Sequence, residues 1–299
     1  MYDVIIVGGG PAGLSAAVVL GRCRRKVLLC DEGKPRNAAS EGLHNYLGHD
    51  GIQPQELQRL GREEAARYGV ELAEERVVDA RCEQPGRRFV ATLAGGRVVN
   101  SRKMLLATGI VDELPRVRGL AKLWGKSVHH CPYCDGWEWK DQPLAVYGRG
   151  EAGISLALKL KTWTRHVTLC TDGPCGLGRG DRQRLSRAQV VLRPQRIVRL
   201  IADGDRLRYI AFREGEALAC SAMFCASAQR GSDLPERMGC RMLRPGVVET
   251  GEKERSNVPG VWVAGDASRD VQFAIVAAGE GAIAAVAINE ELRAEAERE

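Results

Sequence analysis

Cys131-Pro132-Tyr133-Cys134 puts two thiols within one turn of chain, preceded by His129-His130 and followed by Asp135. Thiols at that spacing can close a disulfide and open it again, which is two-electron chemistry. The nucleophile in such exchange is a thiolate, and a helix N-terminus or a neighbouring imidazole favours that form. An unperturbed imidazole titrates near neutrality, which makes His130, directly beside Cys131, a candidate base; His129 reads equally well as a packing residue. Zinc is a competing use of two Cys and two His. Adjacent His-His-Cys leaves little room for tetrahedral ligation, however, and no second cysteine knuckle follows. Trp137 and Trp139 alternate as in a strand, with core packing as their default role and partner docking the lesser one.

These residues lie between two copies of one sequence unit. Residues 3–33 and residues 143–173 align without a gap at a shift of 140 positions. Each copy reads as an apolar strand, a tight glycine turn, an amphipathic helix and a second strand, a βαβ unit with G-x-G-x-x-G. Gly8, Gly10 and Gly13, with Pro11 and Ala12 between the last two, recur as Gly148, Gly150 and Gly153. In such a turn the first glycine allows the bend and the second lets backbone approach a pyrophosphate. The third lets helix and strand pack closely, with the helix N-terminus aimed at the phosphates. An acid expected roughly 20 residues on can bind ribose hydroxyls. Asp31 or Glu32 fills that place in the first copy and Asp172 in the second.

Around these units the pattern predicts a helix over 54–68 and strands in RVVDAR and RFVATLAGGRVV. MLLATGI predicts a strand ending at Ala107-Thr108-Gly109, and GVWVAGD another ending at Gly265-Asp266. An alanine-rich helix is expected over 272–288. Segments rich in Pro, Gly and charge at 113–120 and 244–257 read as linkers. The expected architecture is α/β, with two Rossmann-like three-layer nucleotide-binding domains, the second inserted into the first. Residues 1–116 and 247–299 form the split domain, and 117–246 form the insert carrying the cysteine pair.

GGGPAG, LLATG, VWVAGD and CPYCDGWEWKDQPLAVYGRG, in this order, resemble the low-molecular-weight thioredoxin reductase family of FAD-dependent pyridine nucleotide–disulfide oxidoreductases. The resemblance covers nearly the whole chain. It implies FAD in the split domain, held by the first fingerprint and by Ala107, Thr108 and Gly109, with Asp31 or Glu32 near the adenosine ribose and Gly265-Asp266 near the ribityl chain. Gln272, Phe273 and Ala274 would lie under the flavin ring. It further implies that Cys134 faces the flavin, that Cys131 exchanges with the substrate, and that Asp135 shuttles the proton. A homodimer is the family's usual state.

The second fingerprint departs from the family. NADPH-using members carry basic residues just after the second strand, where this chain has Thr171-Asp172-Gly173-Pro174. A carboxylate repels a 2′-phosphate and suits a free ribose diol, so NADH or a second FAD fits better than NADPH. Arg179, Arg182 and Arg184 follow closely enough to restore a phosphate site if the loop folds back. The CPYC form preceded by His also resembles flavin-dependent dithiol oxidases.

Composition narrows the rest. The chain has 299 residues, 44% of them hydrophobic and 27% charged, as in an ordinary globular protein. Its net charge of +6 is scattered, without a basic stripe, which argues against nucleic acid. No apolar run reaches about 18 residues and no basic leader precedes the first strand, so the expectation is a cytoplasmic protein without a membrane span. There, ten cysteines are not a secreted disulfide framework; the eight outside the pair read as small core residues. Three readings follow. One is a reductase passing electrons through FAD and Cys131–Cys134 to a thioredoxin-like protein or small disulfide. Another runs the relay backwards as a dithiol oxidase using oxygen, or draws on ferredoxin or a second flavin. The third is a nucleotide-binding sensor without turnover.

Overall fold

The computed structural model describes residues 1–298 and divides them into two compact units: Met1–Ala38, Asn45–Val111 and Gln229 onward in the first, Ala39–His44 and Asp112–Ala228 in the second. The insert expected over 117–246 thus closes at 228. The reason is packing, since Leu234, Met238 and Cys240 join the core of the first unit.

In the first unit, Tyr2–Val7 lies at the centre of a sheet between Val27–Cys30 and Val98–Leu106, with Glu71–Ala73 beyond the former; all these pairings are parallel. Val261–Val263 adds a further parallel strand against the C-terminal half of Val98–Leu106. The other half of that long strand pairs antiparallel with Arg88–Leu93, which pairs with Val77–Gln84. A parallel strand is covered on both faces and therefore reads as an unbroken apolar run. Side chains alternate across it: Val4 and Ile6 enter one core, Ile5 and Val7 the other. The first core is roofed by Pro11–Arg22 and Ala274–Ala296. Those helices meet backbone to backbone, for a Cβ on Gly281 would stand 1.9 Å from the Ala12 carbonyl oxygen.

The helix expected over 54–68 is present as Pro54–Arg67. The alanine-rich helix runs past its expected end at 288 to Ala296. Leu292 is buried in this extension, and Glu291 and Glu295 hold the wholly buried Lys103 Nζ at 2.7 and 2.5 Å. A buried ammonium without such partners would be severely penalised, so the last turns are fixed by tertiary need rather than by apolar periodicity.

The second unit repeats the plan. Leu144–Tyr147 lies between Val167–Cys170 and Ala222–Cys225, flanked by Val191–Arg193 and Val128–His129, all parallel. A three-stranded antiparallel sheet of Ile197–Asp203, Arg206–Phe212 and Leu218–Ala219 completes it. The strand expected around Trp137 and Trp139 is absent. Those residues follow the one-turn helix Pro132–Asp135 in a run of turns, which buries Trp139 and leaves Trp137 65% exposed beneath the Lys140 ammonium. No helix among the described residues is long and apolar enough to cross a membrane.

Candidate active site

Cys131 and Cys134 form a disulfide, with their Cα atoms 5.3 Å apart. Cys131 caps the turn Pro132–Asp135, and its Sγ accepts from the Cys134 N–H at 3.2 Å. Pro132 at the first helical position suits such a start, because its fixed φ matches the helix and its missing N–H would have no partner there. Tyr133 stands edge-on to Trp163 with ring centroids 5.5 Å apart. The imidazole set against Asp135 is that of His129, whose Nδ1 is 3.1 Å from Asp135 Oδ1. His130, the candidate base in sequence, stacks on Trp124 with centroids 5.9 Å apart. Adjacent histidines in an extended segment point to opposite sides, and sequence alone carried no signal for which side held the acid.

Of the other eight cysteines, Cys30, Cys170, Cys220, Cys225 and Cys240 are buried, as their apolar surroundings suggested. Burial pushes the Cys30 and Cys170 thiols up to about 12 and raises those of Cys220, Cys225 and Cys240 as well. Cys23 departs from that expectation and is exposed, among the basic residues that end the first helix.

The first glycine turn forms a cradle with the marks of a dinucleotide site. Gly10 caps the helix Pro11–Arg22 with no side-chain hydrogen bond, and a Cβ there would meet nothing within 4 Å. Gly13 lies in the first turn of that helix, and Ala12 is buried against the last helix. Gly8 adopts φ +107° with its Cα against the Ala107 carbonyl, a conformation and a closeness open only to glycine. A side chain at Gly9 would press within 2.7 Å of the Asp31 carboxylate. Of the two acids, Asp31 therefore faces the turn, with Gln58 donating to it at 3.0 Å, while Glu32 pairs with Lys34 at the surface. The Thr108 hydroxyl, next to Gly109, is buried and has no partner among the described residues. A polar group left in this state is costly unless something fills the space beside it.

Gly265, at φ +82°, donates its N–H to Glu280 at 2.7 Å. Arg269 bridges Glu280 and Glu254 at 2.8 and 2.5 Å, and burial raises both carboxyls. The signal for Glu280 in sequence is that it is the one acid of the alanine-rich stretch 272–288. Asp266 accepts from Arg36 at 2.9 Å, and the same guanidinium nitrogen donates to Gln272 at 2.8 Å. Arg36 thus clamps together two of the segments expected to hold a flavin, with Phe273 and Ala274 at the following helix start. Sequence reasoning missed it because its partners lie 230 residues away and beyond.

The second glycine turn keeps half of this arrangement. Gly148 and Gly153 touch as a strand–helix pair, and Gly150, at φ +54°, is open. The Ser227 hydroxyl, which follows Ala222–Cys225 as Thr108 follows its strand, is likewise buried without a partner among the described residues. The adenosine end differs. Asp172 turns its Oδ1 to the Ile197 N–H at 2.8 Å and its Oδ2 toward Tyr147 and Arg196 at 3.4 and 3.9 Å. One oxygen of its carboxylate is therefore tied to the main chain of the neighbouring strand. Arg149, at the place of Gly9, donates to the carbonyls of Thr171 and Asp172 at 2.8 and 2.5 Å. Arg184, one of the basic residues following the strand, pairs with Glu151 beside the turn at 2.8 Å.

The pyridine nucleotide-disulphide oxidoreductase family profile matches residues 2–281. A probable thioredoxin reductase of Arthroderma benhamiae is 32% identical over 90% of this chain and 74% of its own length. The solved structure of HlmI superposes with a TM-score of 0.95 at 37% identity, covering 98% of this chain and 93% of that one. A putative thioredoxin reductase TrxB from Bacillus anthracis gives 0.92 at 30% identity, over 99% of both chains.

Proposed function

Because the chain belongs to the pyridine nucleotide-disulphide oxidoreductase family, as a thioredoxin reductase-like, FAD-dependent disulfide oxidoreductase, we propose that it exchanges two electrons between Cys131–Cys134 and a thioredoxin-like protein or a small dithiol or disulfide. The observation that carries this reading is the disulfide itself, closed at a helix start with Asp135 one residue beyond. The family binds FAD and a nicotinamide nucleotide, and the first cradle fits FAD: an uncapped helix N-terminus, an open Gly10, Asp31 facing Gly9 and an orphaned Thr108 hydroxyl.

The residues then have distinct tasks. Gly8, Gly10, Pro11, Ala12 and Gly13 hold the pyrophosphate and Asp31 the ribose. Ala107, Thr108 and Gly109 line the same cradle. Arg36 orients Asp266 and Gln272, and Phe273 and Ala274 complete the flavin end. FAD supplies a reversible two-electron acceptor. Cys131 would meet the substrate sulfur, Cys134 would be the sulfur that trades electrons with FAD when it is bound, and Asp135 would hold the exchanged proton. The reading extends to a cytoplasmic homodimer.

A second reading, a dithiol oxidase with oxygen as acceptor, draws support from the second cradle. There one oxygen of the acid accepts from the Ile197 N–H, and Arg149 stands where the first cradle has Gly9 and donates to the carbonyls of Thr171 and Asp172. Anaerobic titration of the flavin with NADH, NADPH and dithiothreitol separates the two. Bleaching by a nicotinamide supports the reductase. Bleaching by dithiol alone, with peroxide on reoxidation, supports the oxidase. A flavin that nothing bleaches would leave a nucleotide-binding sensor and remove both.

A further inference from the structure

Thiol–disulfide exchange needs a group that takes a thiol proton and stays in place while it does so. Asp135 ends the single turn Pro132–Asp135. Its Oδ1 meets Nδ1 of His129 at 3.1 Å, on an imidazole 6% exposed at the end of the strand Val128–His129. On the far side of that ring the Trp139 indole donates from Nε1 to His129 Nε2 at 3.1 Å. Phe224 packs 5.4 Å from the imidazole centroid, and the Arg206 guanidinium lies 5.4 Å from the Trp139 ring. An indole N–H can only donate, so Nε2 must offer its lone pair. A neutral imidazole then carries its one proton on Nδ1, which points at the carboxylate. The same logic removes His129 as a proton acceptor, since its free lone pair is already engaged.

We propose that Trp139 and His129 form a tautomer lock that positions Asp135 for proton transfer at the Cys131–Cys134 pair. His129 is the positioning residue and Asp135 the group that accepts. The inference rests on the redox reading of the cysteine pair given above. In the dithiol-oxidising direction, a substrate thiolate attacks Cys131 Sγ; the new S–S bond forms as the Cys131–Cys134 bond breaks, and Cys134 leaves as a thiolate. The second substrate thiol gives its proton to Asp135, and its sulfur attacks the substrate sulfur of the mixed disulfide. The substrate disulfide forms, Cys131 leaves as a thiolate and takes the proton back from Asp135. The substrate has lost two electrons and the cysteine pair has gained them. With Oδ1 held by Nδ1–H, the carboxylate keeps its other oxygen for the thiol. Without the lock it can rotate, or face an imidazole lone pair.

The test uses the FAD-loaded full chain, reduced anaerobically by dithiothreitol and followed by flavin absorbance. His129→Leu removes the donor, and the dithiol-driven rate should fall roughly 10- to 100-fold, as expected for a lost charge-assisted hydrogen bond. His129→Asn, whose amide nitrogen falls near the place of Nδ1, should recover most of that rate. Trp139→Phe keeps the packing and frees the tautomer, so it should slow the reaction about tenfold. The losses should appear in the limiting rate of flavin reduction and spare the dithiothreitol concentration that half-saturates it, because His129 is buried away from the substrate. Asn as slow as Leu at matched flavin content and melting temperature, or Leu as fast as the parent, overturns the lock. A parent protein that dithiothreitol does not reduce at all, with its flavin in place, defeats the redox reading instead.

Discussion

Between the first two fingerprint glycines the first unit has Gly9 and the second has Arg149. A Cβ at Gly9 would press on Asp31, whereas the Arg149 side chain spans that same gap and donates to the main chain of Thr171 and Asp172. The glycine turns of the two cradles, where phosphates are expected, match: each has an open second glycine and a buried hydroxyl without a partner among the described residues, Thr108 in one and Ser227 in the other. Their adenosine ends do not. The two halves of a dinucleotide site are separable: the turn and helix start that receive phosphates can persist while the ribose end is rebuilt around an internal hydrogen-bond network.

The comparison can be broken most sharply by moving the arginine. Gly9→Arg places in the first cradle what the second contains, and should weaken FAD binding by about 100-fold or more, a loss of about 2.7 kcal/mol. Protein that still elutes fully yellow from desalting would show that the gap is not used. Next in size is Asp172→Ala. It leaves the Ile197 N–H without its partner and should lower unfolding stability by about 1–3 kcal/mol in a urea titration, with FAD content unchanged. Arg149→Gly makes the second cradle like the first and should tighten NADH binding about tenfold, roughly 1.4 kcal/mol. If the same change instead abolishes NADPH binding, Arg149 is a 2′-phosphate ligand and the contrast must be redrawn. The smallest effects belong to the orphaned hydroxyls. Thr108→Val should weaken FAD, and Ser227→Ala the second nucleotide, each by about 1 kcal/mol in direct binding assays. Equal insensitivity of both nucleotides would remove the claim that the phosphate ends correspond.

What sequence reveals here follows from how local each signal is. The two repeated strand–turn–helix–strand units, the strands leading to Thr108 and Asp266 and the cysteine pair were legible because periodicity and spacing are properties of neighbouring residues. Val191–Arg193, Ile197–Asp203, Arg206–Phe212 and Ala222–Cys225, by contrast, were not read from sequence. Trp137 and Trp139 misled for the same reason: their alternation matches a strand, but Pro132 and Gly136 start turns that override it. The last helix was cut short at 288 because the anchor of its final turns is Lys103, nearly two hundred residues earlier. Arg36 on Asp266, Glu280 under Gly265 and His129 on Asp135 are tertiary facts. Nothing in the segment around each residue names its partner. Asp172 shows the limit from the other side, for an acid in the expected place was present, but the strand at Ile197 had claimed it.

The depth of the other thiols has a consequence for how such a protein survives its own chemistry. A catalyst that makes and breaks disulfides all day is surrounded by eight potential rivals for every mixed disulfide it forms. Cys30, Cys170, Cys220 and Cys225 are sealed away and held as neutral thiols, so they neither attack nor are attacked. Burial works here as insulation for these thiols, so that outside the redox pair only the exposed Cys23 and the half-buried Cys82 and Cys175 stay within reach of an oxidant.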